Sequence, residues 1–391
     1  MSKTKPDLSL LSPETRLIRA AREFSQHGTV SPPVYHASTY IFPTLADFFD
    51  RNKVYSYGRR GTPTSRAFES AVAMLEGGYA AKTAPSGLAA CGAALLAFLK
   101  SGDHLLMTDA VYGPVRHLCD TLLNGLGIET TYYDPLLGAG IEALIRPNTK
   151  AVYCESPGSQ TLEVQDLPAI AAAAHRHSCI VMIDNTWSAG LYFNAFTHGA
   201  DVSIQAATKY ICGHADIMLG TVTCSEEHWP RFREAFETLG QFAGPDDMAM
   251  ALRGLRTLEV RLRRHMDNAL KVAQWLASHA SVAEVLYPAL PGSRGHALWQ
   301  RDFTGASGLL SIILKPASHA QIAAMADDMR IFAIGESWGG FESLMVPFKP
   351  HRVACDWTDS GPCLRLHIGL EDPDDLIADL AEGFARLNAS A

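Results

Sequence analysis

An α/β fold with a central, mostly parallel sheet, preceded by an N-terminal arm and followed by a smaller C-terminal α/β domain, is what this sequence predicts. Three observations lead there. From Thr64 onward, short apolar strand-like runs alternate with helical stretches. Residues up to about 62 are punctuated by proline and too extended to bury themselves. At 391 residues, 47% hydrophobic and 19% charged, the chain is too long for one small core. The expected divisions are an arm over 1–62, a large domain over 63–255 and a C-terminal domain over 256–391.

Composition also excludes some roles. A net charge of −8 without a segregated basic patch repels a phosphate backbone, so nucleic-acid binding is not expected. The eight cysteines form no CxxC pair and sit mostly among apolar neighbours, a usage that suits a reducing cytoplasm. No run is long enough to cross a membrane, and the opening MSKTKPDLSLLSPETRLIRAAR lacks the apolar centre of a signal peptide. His175 and His177 lie two apart on an expected helix, point to different faces and read as solvated, so no metal site is expected.

In chain order, the arm opens with a short helix over 13–21 and closes on YSYGRRGTPTS, where Tyr57 and Arg59 flank Gly58. A guanidinium in a tight turn suits an anion, although an exposed charged turn is the simpler local reading. PSG then opens an apolar helix, and the free N–H groups at Gly87 and Leu88 make a possible anion cradle. Strands follow over 104–109, 129–134, 150–156 and 179–184, with helices between them. In such sheets ligands gather at the carboxyl ends of strands, which places Tyr112, Glu155, Asp184 and Lys209 on one rim. Beyond Gly220 come helices over 226–239 and 247–279, the second one long and arginine-rich. Short strands and helices then alternate to a final helix over 374–387.

The stretch DVSIQAATKYICGHADIMLG is the centre of the chemistry. It runs from an apolar strand into small residues and presents Thr208 and Lys209 beside Ala206 and Ala207, which leave room for something that is not protein. Such a lysine suits Schiff-base formation with an aldehyde cofactor, of which pyridoxal phosphate is the obvious one, and afterwards general-base work on a substrate. That cofactor needs an anion near its ring nitrogen, a phosphate cradle and a flat partner. Asp184, closing an apolar strand 25 residues earlier, is the candidate anion or else a turn cap. Tyr112 stacks on the ring or fills the core. Arg365 either grips a substrate carboxylate or points outward from its strand.

Taken in order, YSYGRRGTPTS, PSG, AVYGP, ESPGS, DNTW, QAATKYICGHAD, SWGGFESL and RLHIGLED resemble the Cys/Met-metabolism family of pyridoxal-phosphate enzymes, of fold type I, from about residue 14 to the final helix. The resemblance implies that Lys209 carries the cofactor, Asp184 pairs with its pyridinium and Tyr112 stacks on its ring. It gives the phosphate to Gly87, Leu88 and Thr208 of one subunit and to Tyr57 and Arg59 of a neighbour. Arg365, Ser337 and the backbone at Trp338 hold the substrate carboxylate, and the assembly is a homotetramer with shared active sites.

The implied reaction is β-elimination of L-cystathionine to homocysteine, pyruvate and ammonia, with Lys209 as base and Lys209 or Tyr112 as proton donor to the leaving thiol. Two departures from the wider family bear on it. Ala206 stands where many members carry a serine, and Trp338 replaces the leucine common in enzymes that act at Cγ. The rival expectations are γ-elimination or γ-replacement, a broad C–S lyase acting on cystine or cysteine conjugates, and a non-catalytic cofactor-binding regulator. The regulator is disfavoured by the intact set Asp184, Lys209 and Arg365.

Overall fold

The computed structural model describes residues 10–50, 52–357 and 361–390; the first nine residues of the polar N-terminus lie outside it. The first sheet contains β1 (Ala80–Ala84), β2 (His104–Thr108), β3 (Glu129–Tyr133), β4 (Thr149–Glu155), β5 (Ile180–Asp184), β6 (Val202–Gln205) and β7 (Gly220–Cys224). Its order is β1-β7-β6-β5-β4-β2-β3, and β7 alone runs against the others. The mostly parallel sheet is therefore as expected. β2 is buried along its whole length, as a strand covered on both faces must be.

Alternation along these strands sends side chains into two different cores. Leu106, Val152, Val181 and Ile183 join an apolar cluster that continues through Trp187 and Phe303 to Leu310, Ile312 and Leu366. Leu105, Met107, Tyr153 and Met182 face the other way, onto the helix Gly87–Phe98 and onto Phe232 and Phe236. The second sheet holds β8 (Val282–Leu286), β9 (Leu309–Leu314), β10 (Ala333–Ile334), β11 (Leu344–Phe348) and β12 (Cys363–His367), in the order β10-β11-β12-β9-β8. It is antiparallel except for the short β10–β11 pair.

One sequence expectation needs correction. The single helix expected over 247–279 is two, Pro245–Leu255 and Leu258–Ala277. Arg261, just after the break, donates back across it: Nη2 to the Gly254 carbonyl at 2.8 Å, Nη1 to the Tyr210 carbonyl at 2.7 Å and Nε to the Thr257 hydroxyl at 3.2 Å. Gly254 also packs so closely that a side chain there would lie 2.4 Å from the Cys212 carbonyl oxygen. His175 and His177 are exposed, as expected, and each also meets a carboxylate: His175 Asp201 at 2.9 Å and His177 Glu142 at 3.0 Å. The short helices Leu45–Phe49 and His296–Asp302 were not expected.

Candidate active site

The site lies where the strands of the first sheet end. Asp184 closes β5 beside Glu155, its register partner at the end of β4. Its Oδ1 accepts from the Thr186 amide at 3.0 Å and from the Thr186 hydroxyl, whose oxygen in turn accepts from the Ala206 amide at 2.9 Å. One threonine thus ties the carboxylate to the loop that carries Lys209. Asp184 is only 9% exposed and makes no ion pair among the described residues. Burial accordingly raises its pKa, and the Thr186 hydrogen bonds oppose that rise.

Lys209 sits on a tight turn after β6, its amide bonded to the Ala206 carbonyl at 3.0 Å and its carbonyl accepting from Gly213 at 2.8 Å. Gly213 has φ of +74°, and a side chain there would collide with the Arg261 guanidinium. The Lys209 ammonium donates to the Ser337 hydroxyl at 2.7 Å and lies 5.2 Å from the centre of the Trp338 ring. Burial lowers its pKa to about 8; the Arg365 charge adds to this, while Asp184 and Glu336 oppose it. An amine held there is far easier to deprotonate than a surface lysine.

Arg365, on β12, is partly buried and donates to the Ser337 carbonyl at 3.0 Å. It therefore turns inward, not outward. Tyr112, 45% exposed, follows β2, and its amide donates to Glu155 Oε2 at 2.8 Å. Burial and the Asp184 charge keep the Glu155 pKa well above the usual carboxylate range. Glu155 had been expected only as a rim residue; its part in holding Tyr112 comes from packing.

The helix Gly87–Phe98 points its N-terminus at the lysine loop. Ser86 caps it by accepting from the Ala89 amide at 3.1 Å, and the Gly87 and Leu88 amides have no intrahelical acceptor. A side chain at Gly87 would meet the Ala206 methyl at 2.6 Å, so only glycine lets the helix end approach this closely. Thr208 differs from the others. Its hydroxyl accepts from the Leu219 amide at 2.8 Å and donates to the Leu219 carbonyl at 3.1 Å, so its proton is engaged within the chain.

Tyr57 and Arg59 are not brought to Lys209 within this chain. Arg59 donates to the Glu237 carbonyl at 2.7 Å, and its guanidinium lies 5.8 Å from the Tyr57 ring centre. Arg59 also lines a cavity of about 200 Å³ between the arm and the body, with Glu69 and Lys82 at its wall and none of the residues around Lys209.

These residues fit pyridoxal 5'-phosphate. A buried carboxylate without a cationic partner suits a protonated ring nitrogen, a lysine of lowered pKa suits an aldehyde, and an open helix N-terminus suits a phosphate. Residues 14–385 match the family model of Cys/Met metabolism PLP-dependent enzymes, and the chain belongs to that family. Its cofactor is pyridoxal 5'-phosphate and its fold is type I. It is 46% identical to the cystathionine β-lyase of Escherichia coli (strain K12), with 96% of this chain and 98% of that protein covered. It is 34% identical to the cystathionine γ-lyase of Bacillus subtilis (strain 168), with 92% and 95% covered. Among solved structures, cystathionine γ-synthase from Xanthomonas oryzae pv. oryzae matches with a TM-score of 0.90 at 31% identity, covering 97% of this chain and all of that one.

Proposed function

We propose that this chain is a carbon–sulfur lyase that cleaves the Cβ–S bond of L-cystathionine, consuming one water and releasing homocysteine, pyruvate and ammonia. The observation that carries this reading is the meeting of Lys209, Ser337 and Arg365 at one point, beside Asp184. Its near full-length similarity to β-lyases supports the choice of bond.

Lys209 is the covalent anchor of the cofactor, Asp184 the partner of its ring nitrogen, and Tyr112 the ring that covers it. Gly87 and Leu88 hold its phosphate through their amides, and Thr208 joins them if its hydroxyl turns from Leu219. Tyr57 and Arg59 of a second copy complete the cradle. Bound there, pyridoxal 5'-phosphate supplies an electron sink for the pair left behind when the Cα proton departs.

The chain's own groups do the rest. Arg365 grips the substrate α-carboxylate in a charge-assisted pair, with Ser337 and the Trp338 backbone alongside, and so fixes which Cα bond faces Lys209. The Lys209 amine, once free, would take the Cα proton. With its pKa near 8 it gives a proton up again at little cost, so Lys209, or the Tyr112 phenol, protonates the departing thiolate. Ser337 Oγ keeps the lysine nitrogen on the correct side throughout.

The arrangement of arm and site supports a homotetramer in which pairs of subunits share active sites. No disulfide joins Cys91, Cys119, Cys154, Cys179, Cys212 or Cys224, all buried, which supports a cytoplasmic setting. Among the described residues no helix is long and apolar enough to cross a membrane. Product analysis tests the reading: with L-cystathionine as sole substrate the purified protein yields pyruvate. Predominant 2-oxobutyrate would move the cleavage to Cγ and overturn it.

A further inference from the structure

The groups that touch Lys209 and Arg365 come from one loop, and that loop is held from behind. Ser337 has φ of +61° and Gly339 φ of +88°, two left-handed residues flanking Trp338. A side chain at Gly339 would lie 2.8 Å from the Lys209 carbonyl carbon, so the loop rests directly on the lysine backbone. A backbone of this shape needs outside support to persist.

His367 supplies it. It ends β12 two residues after Arg365, on the same face of the strand, and is completely buried. Its Nε2 accepts from the Gly339 amide at 3.1 Å, and its Nδ1 donates to the Glu342 carbonyl at 2.9 Å. An amide can only donate and a carbonyl can only accept, so the two partners fix one neutral tautomer with its proton on Nδ1. One imidazole therefore bridges both ends of the 339–342 segment. On its other sides it packs against His265, with ring centres 5.2 Å apart, and Tyr210, at 5.8 Å. Tyr210 is the residue after Lys209 and lies 5.4 Å from the Trp338 ring.

We propose that His367 is a positioning residue for the reaction: it clamps the 337–342 loop so that the Ser337 hydroxyl stays on Lys209 and the Ser337 carbonyl stays on Arg365. This rests on the roles proposed above for Lys209, Ser337 and Arg365, and it adds a group that touches neither substrate nor cofactor. Among the described residues the Gly339 amide bonds to no other side chain.

Hydrogen–deuterium exchange on the cofactor-loaded protein, read alongside kinetics, tests it. His367→Leu removes both hydrogen bonds while keeping bulk. The expected result is exchange at 339–342 faster by at least about 10-fold, unchanged exchange in β9, and kcat/KM lower by about 10- to 100-fold. His367→Gln, which still offers a donor and an acceptor, should recover part of both the protection and the rate. Wild-type protection at 339–342 in His367→Leu would overturn the proposal. So would equal loosening of β9 and the loop, or a glutamine variant no better than leucine in either readout. The exchange result is independent of which thioether is cleaved, so this proposal and the proposed function fail separately.

Discussion

The lysine side of the site and the arm are built in opposite ways. Around Lys209, residues of one chain satisfy each other: Thr186 joins Asp184 to Ala206, Arg261 holds the Tyr210 carbonyl, and the loop of Ser337 rests on the lysine backbone. The arm instead leaves Ile41 93% exposed and Phe49 64% exposed, and carries Tyr57 and Arg59 outward. Apolar side chains on a short, proline-rich segment are costly to leave in water, which supports the second copy proposed above. The contrast is what the proposed sharing of sites requires: Ser337 and Arg365 meet Lys209 within one chain, whereas Tyr57 and Arg59 of that chain stay away from it.

Mixing variants breaks or sharpens that contrast most strongly. Lys209→Ala should be inactive, and Arg59→Ala should bind the cofactor about 10- to 100-fold more weakly through loss of a charge-assisted contact. Refolded together they place one intact site in each mixed pair, and about a quarter of the wild-type sites should return. A mixture no more active than its parents would show that Arg59 serves its own chain.

A smaller effect comes from the buried wall behind the lysine side. Burial holds the His265 pKa down to about 4, with the nearby Arg261 charge acting in the same direction and the Ile368 carbonyl opposing it. The unfolded chain takes up that proton near pH 6.5, so stability is fully present above that value and falls as pH drops toward 4. The slope from this group is at most roughly 1.4 kcal/mol per pH unit. In melting experiments between pH 7 and 4, His265→Leu should lose stability less steeply than the wild type, while neighbouring His367 keeps a slope of the same sign in both. Parallel curves would count against a neutral buried His265.

Sequence made visible what ends a strand. Asp184 and Lys209 were legible because each follows an apolar run at the rim of a parallel sheet, and Gly87 because it opens an apolar helix. The same alternation marked most strands of both sheets, though not β11. Contacts between distant elements were not legible. Arg261 looked like one more arginine on an amphipathic helix, yet it reaches 51 residues back to the Tyr210 carbonyl. His367 drew no notice in the sequence, and nothing in its local pattern signals a bond to Gly339, 28 residues away. The engagement of the Thr208 hydroxyl with Leu219 was hidden for the same reason.

The central claim is that one amine, Lys209, both carries the cofactor and moves the Cα proton. Borohydride reduction of the cofactor-loaded protein, followed by peptide mapping, tests it most directly. The account predicts a single pyridoxyl group on the peptide containing Lys209, with activity lost in proportion. A label on any other lysine, or full activity after labelling, would contradict it.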